Sequence, residues 1–205
     1  MRFLRSLAGR RGRLEQCVDI AMSVEGQVSR AEVGTLIELA RNTAPGTAIV
    51  EIGTFRGRST TALALGSMLG ARNRVFAVDP HEEFTGVFGG RFGPEDQAAL
   101  YRNIVRTGIG DLVAVVSRPS RDAACSWTDK NIGLLWIDGD HRYEAVSTDY
   151  NAWSRFVVAG GTVAFHDRCA PGVAQLIDQL VREHQLLPQG EVEALTSFKI
   201  PGGPS

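Results

Sequence analysis

The sequence lacks any run approaching the roughly 18 consecutive apolar residues that a bilayer-crossing helix needs, so no transmembrane segment is expected. Cysteine is sparse. Cys17, Cys125 and Cys169 are scattered and show no CxxC spacing, which excludes a disulfide framework and a thiolate zinc site and points to a reducing, cytoplasmic setting. A charge excess is missing as well. The 22 basic and 23 acidic residues leave a formal net charge of -1, so the basic surface of a general nucleic-acid binder is not expected. No internal repeat or low-complexity tract occurs. What remains, 43% hydrophobic and 22% charged residues over 205 positions, suits one soluble globular domain with a sizeable core.

The opening MRFLRSLAGRRGR carries Arg2, Arg5, Arg10, Arg11 and Arg13 but no uninterrupted apolar core, so it does not read as a secretory signal. A solvated basic end is the plain expectation; weak contact with an anionic membrane surface is the alternative. Helical patterns follow over Leu14 to Met22 and Ser29 to Arg41. Ser29 with Glu32 resembles a capping box, and Val33, Leu36, Ile37 and Ala40 form the buried stripe. Pro45-Gly46 ends this part, so residues 1–45 read as a helical extension and 46–205 as the main domain.

Two phosphate-binding signatures are also absent from a place that invites them. Thr47 to Ile52 is a β-branched apolar run, followed by Gly53-Thr54-Phe55-Arg56-Gly57-Arg58-Ser59 and a helix over Thr60 to Leu69. Strand, glycine turn and helix N-terminus cradle a polar ligand, because glycine permits close backbone approach and free amides point outward. A dinucleotide fingerprint needs glycine where Phe55 stands, which disfavours a nicotinamide-dependent oxidoreductase. A P-loop needs Gly-Lys-Ser/Thr, and Gly57-Arg58-Ser59 follows too short a gap. Glu51 at the loop mouth would repel phosphate and welcome an ammonium group. The second strand, Arg74 to Val78, ends in Asp79, about 20 residues past the glycine loop, where a ribose diol is commonly held. Pro80 to Pro94, with His81, Glu82, Glu83 and four glycines, reads as an irregular lid or substrate loop.

Further elements are a helix over Glu95 to Thr107, a strand over Leu112 to Val116, and a turn at Ser117 to Ser120 entering a short helix. The stretch Leu134 to Asp167 is the most informative. Two apolar runs, Leu134 to Ile137 and Thr162 to Phe165, each stop in acids and imidazoles: Asp138, Asp140 and His141 after the first, His166 and Asp167 after the second. Between them Tyr143, Val146, Tyr150, Trp153 and Val157 make one helical stripe. Parallel neighbouring strands joined by a right-handed crossover bring both clusters to one sheet edge. Asp140 suits a helix cap, Glu144 and Asp149 a solvated helix face, Trp136 and Trp153 the core, and His184 the surface. A helix over Gly172 to Gln185 and one or two short strands in Glu191 to Ile200 complete a doubly wound, Rossmann-like α/β fold with a mostly parallel sheet and helices on both faces.

Four segments, Val50 to Ser59, Val78-Asp79-Pro80, Ile137 to Glu144 and Gly160-Gly161 through Phe165-His166-Asp167, together resemble class I S-adenosylmethionine-dependent methyltransferases. The resemblance is strongest to the subgroup with cephalosporin-hydroxylase-type and macrolide-sugar O-methyltransferases, and it spans about residues 49–167. It implies that Glu51, Gly53, Thr54, Phe55, Gly57 and Ser59 hold the methionine part of S-adenosylmethionine, Asp79 and Pro80 the ribose, Ser117 and Ser120 the adenine, and that Asp138 also touches the cofactor. It further implies a divalent cation, with magnesium the expected ion, on Asp138, His166 and Asp167. His141 falls where related sugar enzymes place a general base, beside Asp138. Such relatives often have Glu-Asp at His166-Asp167; an imidazole there removes one negative charge and softens the site. The implied reaction is methylation of a hydroxyl on a small sugar, glycolipid or polyketide-like acceptor. A non-catalytic binding module or partner subunit is the alternative from another class, and homo-oligomerisation is left open.

Overall fold

The computed structural model describes residues 10–128 and 131–202, without the side chains of residues 10 and 11. The expectation for Arg2 and Arg5 therefore lies outside the described residues.

The chain opens with α1 (Arg10–Met22) and α2 (Arg30–Arg41). Ser29 caps α2 as its spacing suggests: its side chain accepts from the Glu32 amide, and the Glu32 carboxylate accepts from the Ser29 amide. Next come β1 (Ala48–Ile52), α3 (Arg58–Leu69), β2 (Val75–Val78), β3 (Phe84–Thr85), β4 (Arg91–Phe92), α4 (Pro94–Thr107) and β5 (Val113–Val116). The second half runs α5 (Ser120–Cys125), β6 (Ile132–Ile137), α6 (Tyr143–Trp153), β7 (Val157–Phe165), α7 (Pro171–Arg182), β8 (Leu187–Val192) and β9 (Leu195–Lys199).

Seven strands form one sheet in the order β5-β2-β1-β6-β7-β9-β8. The first five are parallel to one another, and β9 and β8 close the edge antiparallel. β6 and β7 are neighbours, with Ile137 opposite Phe165, so Asp138 and His166 follow paired residues. The central strands β1 and β6 are apolar apart from Glu51, because helices cover both faces. Side-chain alternation sorts them: Ile49, Leu134 and Trp136 pack toward α1, α2, α3 and α4, while Val50, Ile52, Leu135 and Ile137 pack toward α5, α6 and α7. Cys17, Val33, Leu36 and Ile37 lie in the first of these clusters, so the helices that precede the sheet share its core. Strand order reverses at β1, between β2 on one side and β6 on the other. In an open parallel sheet that reversal leaves a crevice at the carboxyl edge.

The 80–94 segment is less irregular than its glycines suggest. It folds back as the β3–β4 hairpin, with Phe84 stacked on Phe92 at 4.8 Å and Phe92 edge-on to Phe55 at 5.4 Å. Arg142 Nη2 ties the hairpin to α6 by donating to the Thr85 carbonyl at 3.1 Å.

Candidate functional site

A cavity of about 660 Å³ opens at the crevice, within the size range of small-molecule sites. Its floor is the turn between β1 and α3. Gly53 has φ 82°, and a Cβ there would come within 2.2 Å of the Asp138 carbonyl oxygen, so only glycine lets the β1 and β6 ends approach this closely. Asp79 holds the turn from β2. Its Oδ2 accepts from the Thr54 amide at 2.8 Å and the Phe55 amide at 3.3 Å, and its Oδ1 from the His81 amide at 2.8 Å. His81 is itself buried, with Nε2 3.2 Å from the Phe55 carbonyl and 3.3 Å from the Thr54 hydroxyl.

A charged cluster gathers at the β6 and β7 ends; Asp138 and His141 line the cavity, and the other two expected ligands, His166 and Asp167, do not. His166 is 5% exposed, and its Nδ1 lies 3.2 Å from Asp138 Oδ1 and 3.4 Å from Asp167 Oδ2. His141 Nε2 lies 3.5 Å from Asp138 Oδ1 and 3.8 Å from Asp167 Oδ2, enclosed and without a hydrogen-bond partner. The two strand-end segments therefore meet, through the register of β6 on β7. Burial opposes charge on His166, but Asp138 and Asp167 outweigh it and push the imidazole up to about 11. Burial likewise acts to raise Asp138, yet His166 and His141 hold its carboxyl below the usual range. The cluster is negative enough to hold a cation. Asp138, His141 and His166 each offer one ligand atom, all within 4.8 Å of one another. An ion bound at about 2.1 Å has adjacent ligand atoms about 3.0 Å apart on an octahedron and about 3.4 Å apart on a tetrahedron. The separations from Asp138 Oδ1, 3.2 Å to His166 Nδ1 and 3.5 Å to His141 Nε2, are compatible with such edges; the expected ligand Asp167 is not one of the three.

Among the residues singled out in the sequence, Gly53, Thr54, Phe55, Ser59, Asp79, Pro80, Ser120, Asp138 and His141 line the cavity. Three of the expected cofactor contacts do not. Glu51 has the same strand parity as Ile49 and turns under α3, wholly buried, where Thr60 Oγ1 donates to its Oε2 at 2.5 Å and Oε1 has no partner. Burial pushes its carboxyl up to about 8, against the hydroxyls of Ser59 and Thr60. Gly57, at φ 92°, shapes the α3 start; a Cβ there would meet Leu100 at 2.6 Å. Ser117 is exposed and accepts from Gln97 Nε2 at 2.6 Å on the outer surface.

Two residues escaped the sequence reading. Asp149, expected on a solvated face, is buried and lines the cavity beside Ser120, and burial raises its carboxyl to about 6. Its place next to Tyr150 and three residues after Val146 put it at the edge of the buried stripe, which was the available signal. Glu32 is 2% exposed; its Oε1 lies 3.3 Å from His166 Nε2 and accepts from the Ala194 amide at 2.8 Å. Its capping-box position told of a helix start and nothing of a histidine 134 residues away. Asp140, expected as the cap of α6, is not its N-cap, which is Arg142; its Oδ1 accepts from the Arg142 amide at 3.1 Å, and the residue lines the cavity. His184 is exposed, and Trp136 and Trp153 are in the core. Cys17, Cys125 and Cys169 are free thiols. Among the described residues no helix is long and apolar enough to cross a membrane.

A family profile described as a methyltransferase domain matches residues 50–168. The uncharacterised protein R132 of Acanthamoeba polyphaga mimivirus is 29% identical over 145 residues, 66% of this chain and 60% of that protein. The chain thus spans about three fifths of that relative's length. The methyltransferase PaMTH1 of Podospora anserina, in its S-adenosylhomocysteine-bound structure, shares the fold with TM-score 0.69 at 14% identity, over 93% of this chain and 88% of that one. The TDP-rhamnose 3′-O-methyltransferase of calicheamicin biosynthesis shares it with TM-score 0.63 at 14% identity, over 95% of this chain and 96% of that one.

Proposed function

The chain belongs to the class I S-adenosylmethionine-dependent methyltransferases, and from that premise we propose a metal-assisted O-methyltransferase acting on a hydroxyl of a small sugar, glycolipid or polyketide-like acceptor. The observation that carries this reading is that Asp138 and His141, which line the cavity next to the Gly53 turn, meet His166 and Asp167 from the neighbouring strand end.

S-adenosylmethionine would lie along the carboxyl edge. The Gly53–Phe55 turn and Ser59 face its methionine part, where the amino end of α3 suits a carboxylate. Asp79 Oδ2 is taken up by the Thr54 and Phe55 amides and the Thr54 hydroxyl, while Oδ1 accepts from the His81 amide alone and keeps a position for a ribose hydroxyl. Pro119, Ser120 and Asp149 border the far end, where the Asp149 carboxylate suits the exocyclic amino group of adenine.

The reaction needs no covalent help from the protein. The acceptor oxygen attacks the methyl carbon in line with the sulfur, a carbon–oxygen bond replaces the carbon–sulfur bond, and the sulfonium leaves as a neutral thioether. What the chain must supply is alignment and a place for the hydroxyl proton. The Asp138–His141 pair is within the cavity wall and takes that proton. A divalent ion in the cluster would lower the pKa of the acceptor hydroxyl. The β3–β4 hairpin covers the acceptor end, with Phe88, 63% exposed, 6.1 Å from the His141 ring. That apolar roof favours an acceptor with a hydrophobic face next to its hydroxyl, in keeping with a glycoside or polyketide.

The test is transfer of an isotope-labelled methyl group from S-adenosylmethionine to a panel of glycosides and polyketide alcohols, with and without EDTA. Transfer that chelation abolishes and a divalent salt restores supports the reading. Transfer indifferent to chelation removes the metal, and calorimetry showing no S-adenosylmethionine binding removes the reading altogether.

A further inference from the structure

We propose that the cluster is a site for a first-row transition-metal ion in preference to magnesium, with Asp138 Oδ1, His141 Nε2 and His166 Nδ1 as ligands and Glu32 as the residue that positions His166. This rests on the metal-assisted reading above and changes two of its parts, the identity of the ion and the role of His141.

His141 and His166 converge on one carboxylate oxygen, Asp138 Oδ1, at 3.5 and 3.2 Å. The enclosed Nε2 of His141 has no hydrogen-bond partner although two carboxylates stand nearby. A nitrogen arranged to donate would have closed on one of them to about 2.8 Å. A lone pair waiting for a cation keeps this wider spacing from both. Asp167 Oδ2, 3.4 Å from His166 Nδ1, borders the same point in space.

Glu32 then settles which nitrogen of His166 is available. Its carboxylate faces Nε2 with both oxygens, at 3.3 and 3.4 Å, and is itself fixed by the Ser29 and Ala194 amides at 2.8 Å each. A carboxylate held against one ring nitrogen keeps the proton there and turns the other nitrogen's lone pair toward the ion, the usual support of a ligating histidine.

Donor chemistry selects the ion. Magnesium asks for oxygen ligands in near-octahedral array and gives up water reluctantly. Imidazole nitrogen suits iron, cobalt, nickel, copper and zinc. A set with two imidazoles therefore takes an ion of the second group. His141 Nε2, spent on the ion, is no longer the base, and the acceptor proton leaves to solvent through the open cavity.

Metal-stripped full-length protein is titrated with cobalt(II), zinc(II) and magnesium, read by equilibrium dialysis and by the visible absorption of bound cobalt, and repeated on His141→Ala and Glu32→Gln. Circular dichroism and S-adenosylhomocysteine binding serve as checks that each variant is folded. One cobalt per chain, bound at least about a hundredfold tighter than magnesium, is expected. His141→Ala should weaken it more than tenfold, and Glu32→Gln by about ten- to a hundredfold. Should His141→Ala fail to fold, Glu32→Gln decides. Magnesium binding as tightly as cobalt, or cobalt affinity unchanged in the folded variant, overturns this inference and leaves the metal-assisted reading standing. No divalent ion bound while S-adenosylhomocysteine binds normally overturns both.

Discussion

Glu51 illustrates how a single carboxyl can carry a chemistry different from the one its position suggests. Turned under α3 with one oxygen unpartnered, it has its pKa moved from the ordinary 4.5 to about 8 by burial. The folded chain holds this proton more tightly than the unfolded chain does. The stability that Glu51 contributes is thus fully present below about pH 4.5 and is lost as pH rises toward 8. Urea unfolding between pH 5 and 8 should show this decline, and Glu51→Gln should flatten it; an unchanged slope in the variant would contradict the buried-proton account. Asp149 makes a second residue-scale prediction. Asp149→Ala removes an acceptor at the adenine end and should weaken S-adenosylhomocysteine binding by roughly 1–1.5 kcal/mol, about tenfold, as read by calorimetry. Asp138, His141, His166 and Asp167 were legible because they terminate apolar runs, and strand ends in a parallel sheet share one edge. Glu51 was misread because its strand parity directs it to a face rather than the edge. Glu32 was unreadable because its target arrives from the far end of the chain.

At the scale of elements, the β1–α3 turn is the piece whose geometry is least tolerant. Gly53 combines a left-handed backbone with a 2.2 Å approach of any added Cβ to the Asp138 carbonyl, so Gly53→Ala must separate the β1 and β6 ends. We expect a loss of at least about 1–3 kcal/mol in chemical unfolding, together with loss of S-adenosylhomocysteine binding. Retained affinity in that variant would mean that the cavity floor is not where the cofactor rests. Elements with a strong period were readable from the sequence: β1, β6 and the α2 and α7 stripes lie where their apolar spacing places them, while the α6 stripe stops at Trp153 and its expected last member, Val157, opens β7. The β3–β4 hairpin was not, since strands of two residues have no period to detect. Nor was the start of β8, whose LPQGEV is exposed along nearly its whole length and includes Pro188 and Gly190, as an edge strand tolerates.

For the molecule as a whole, the cofactor should act as a structural ligand. The cavity is bordered by β1, β2, β6, the hairpin and the Gly26–Val28 connector between α1 and α2, so occupancy ties several elements together. At a concentration a hundred times its Kd, S-adenosylhomocysteine should add about 2.7 kcal/mol of stability. For a chain of 205 residues this is a rise in Tm of roughly 5–11 °C. A melting curve insensitive to the compound would count against the cofactor assignment.

The position of Glu32 has a further consequence. The segment common to the wider family, residues 50–168, holds Asp138, His141 and His166, but the carboxylate that steadies His166 comes from α2, outside it. Ion affinity is then not a property of the shared segment alone. Two enzymes with identical strand-end motifs would differ in how tightly they hold the ion if their leading helices differed at this one position. Exchanging those helices between relatives would transplant the affinity while leaving every ligand in place.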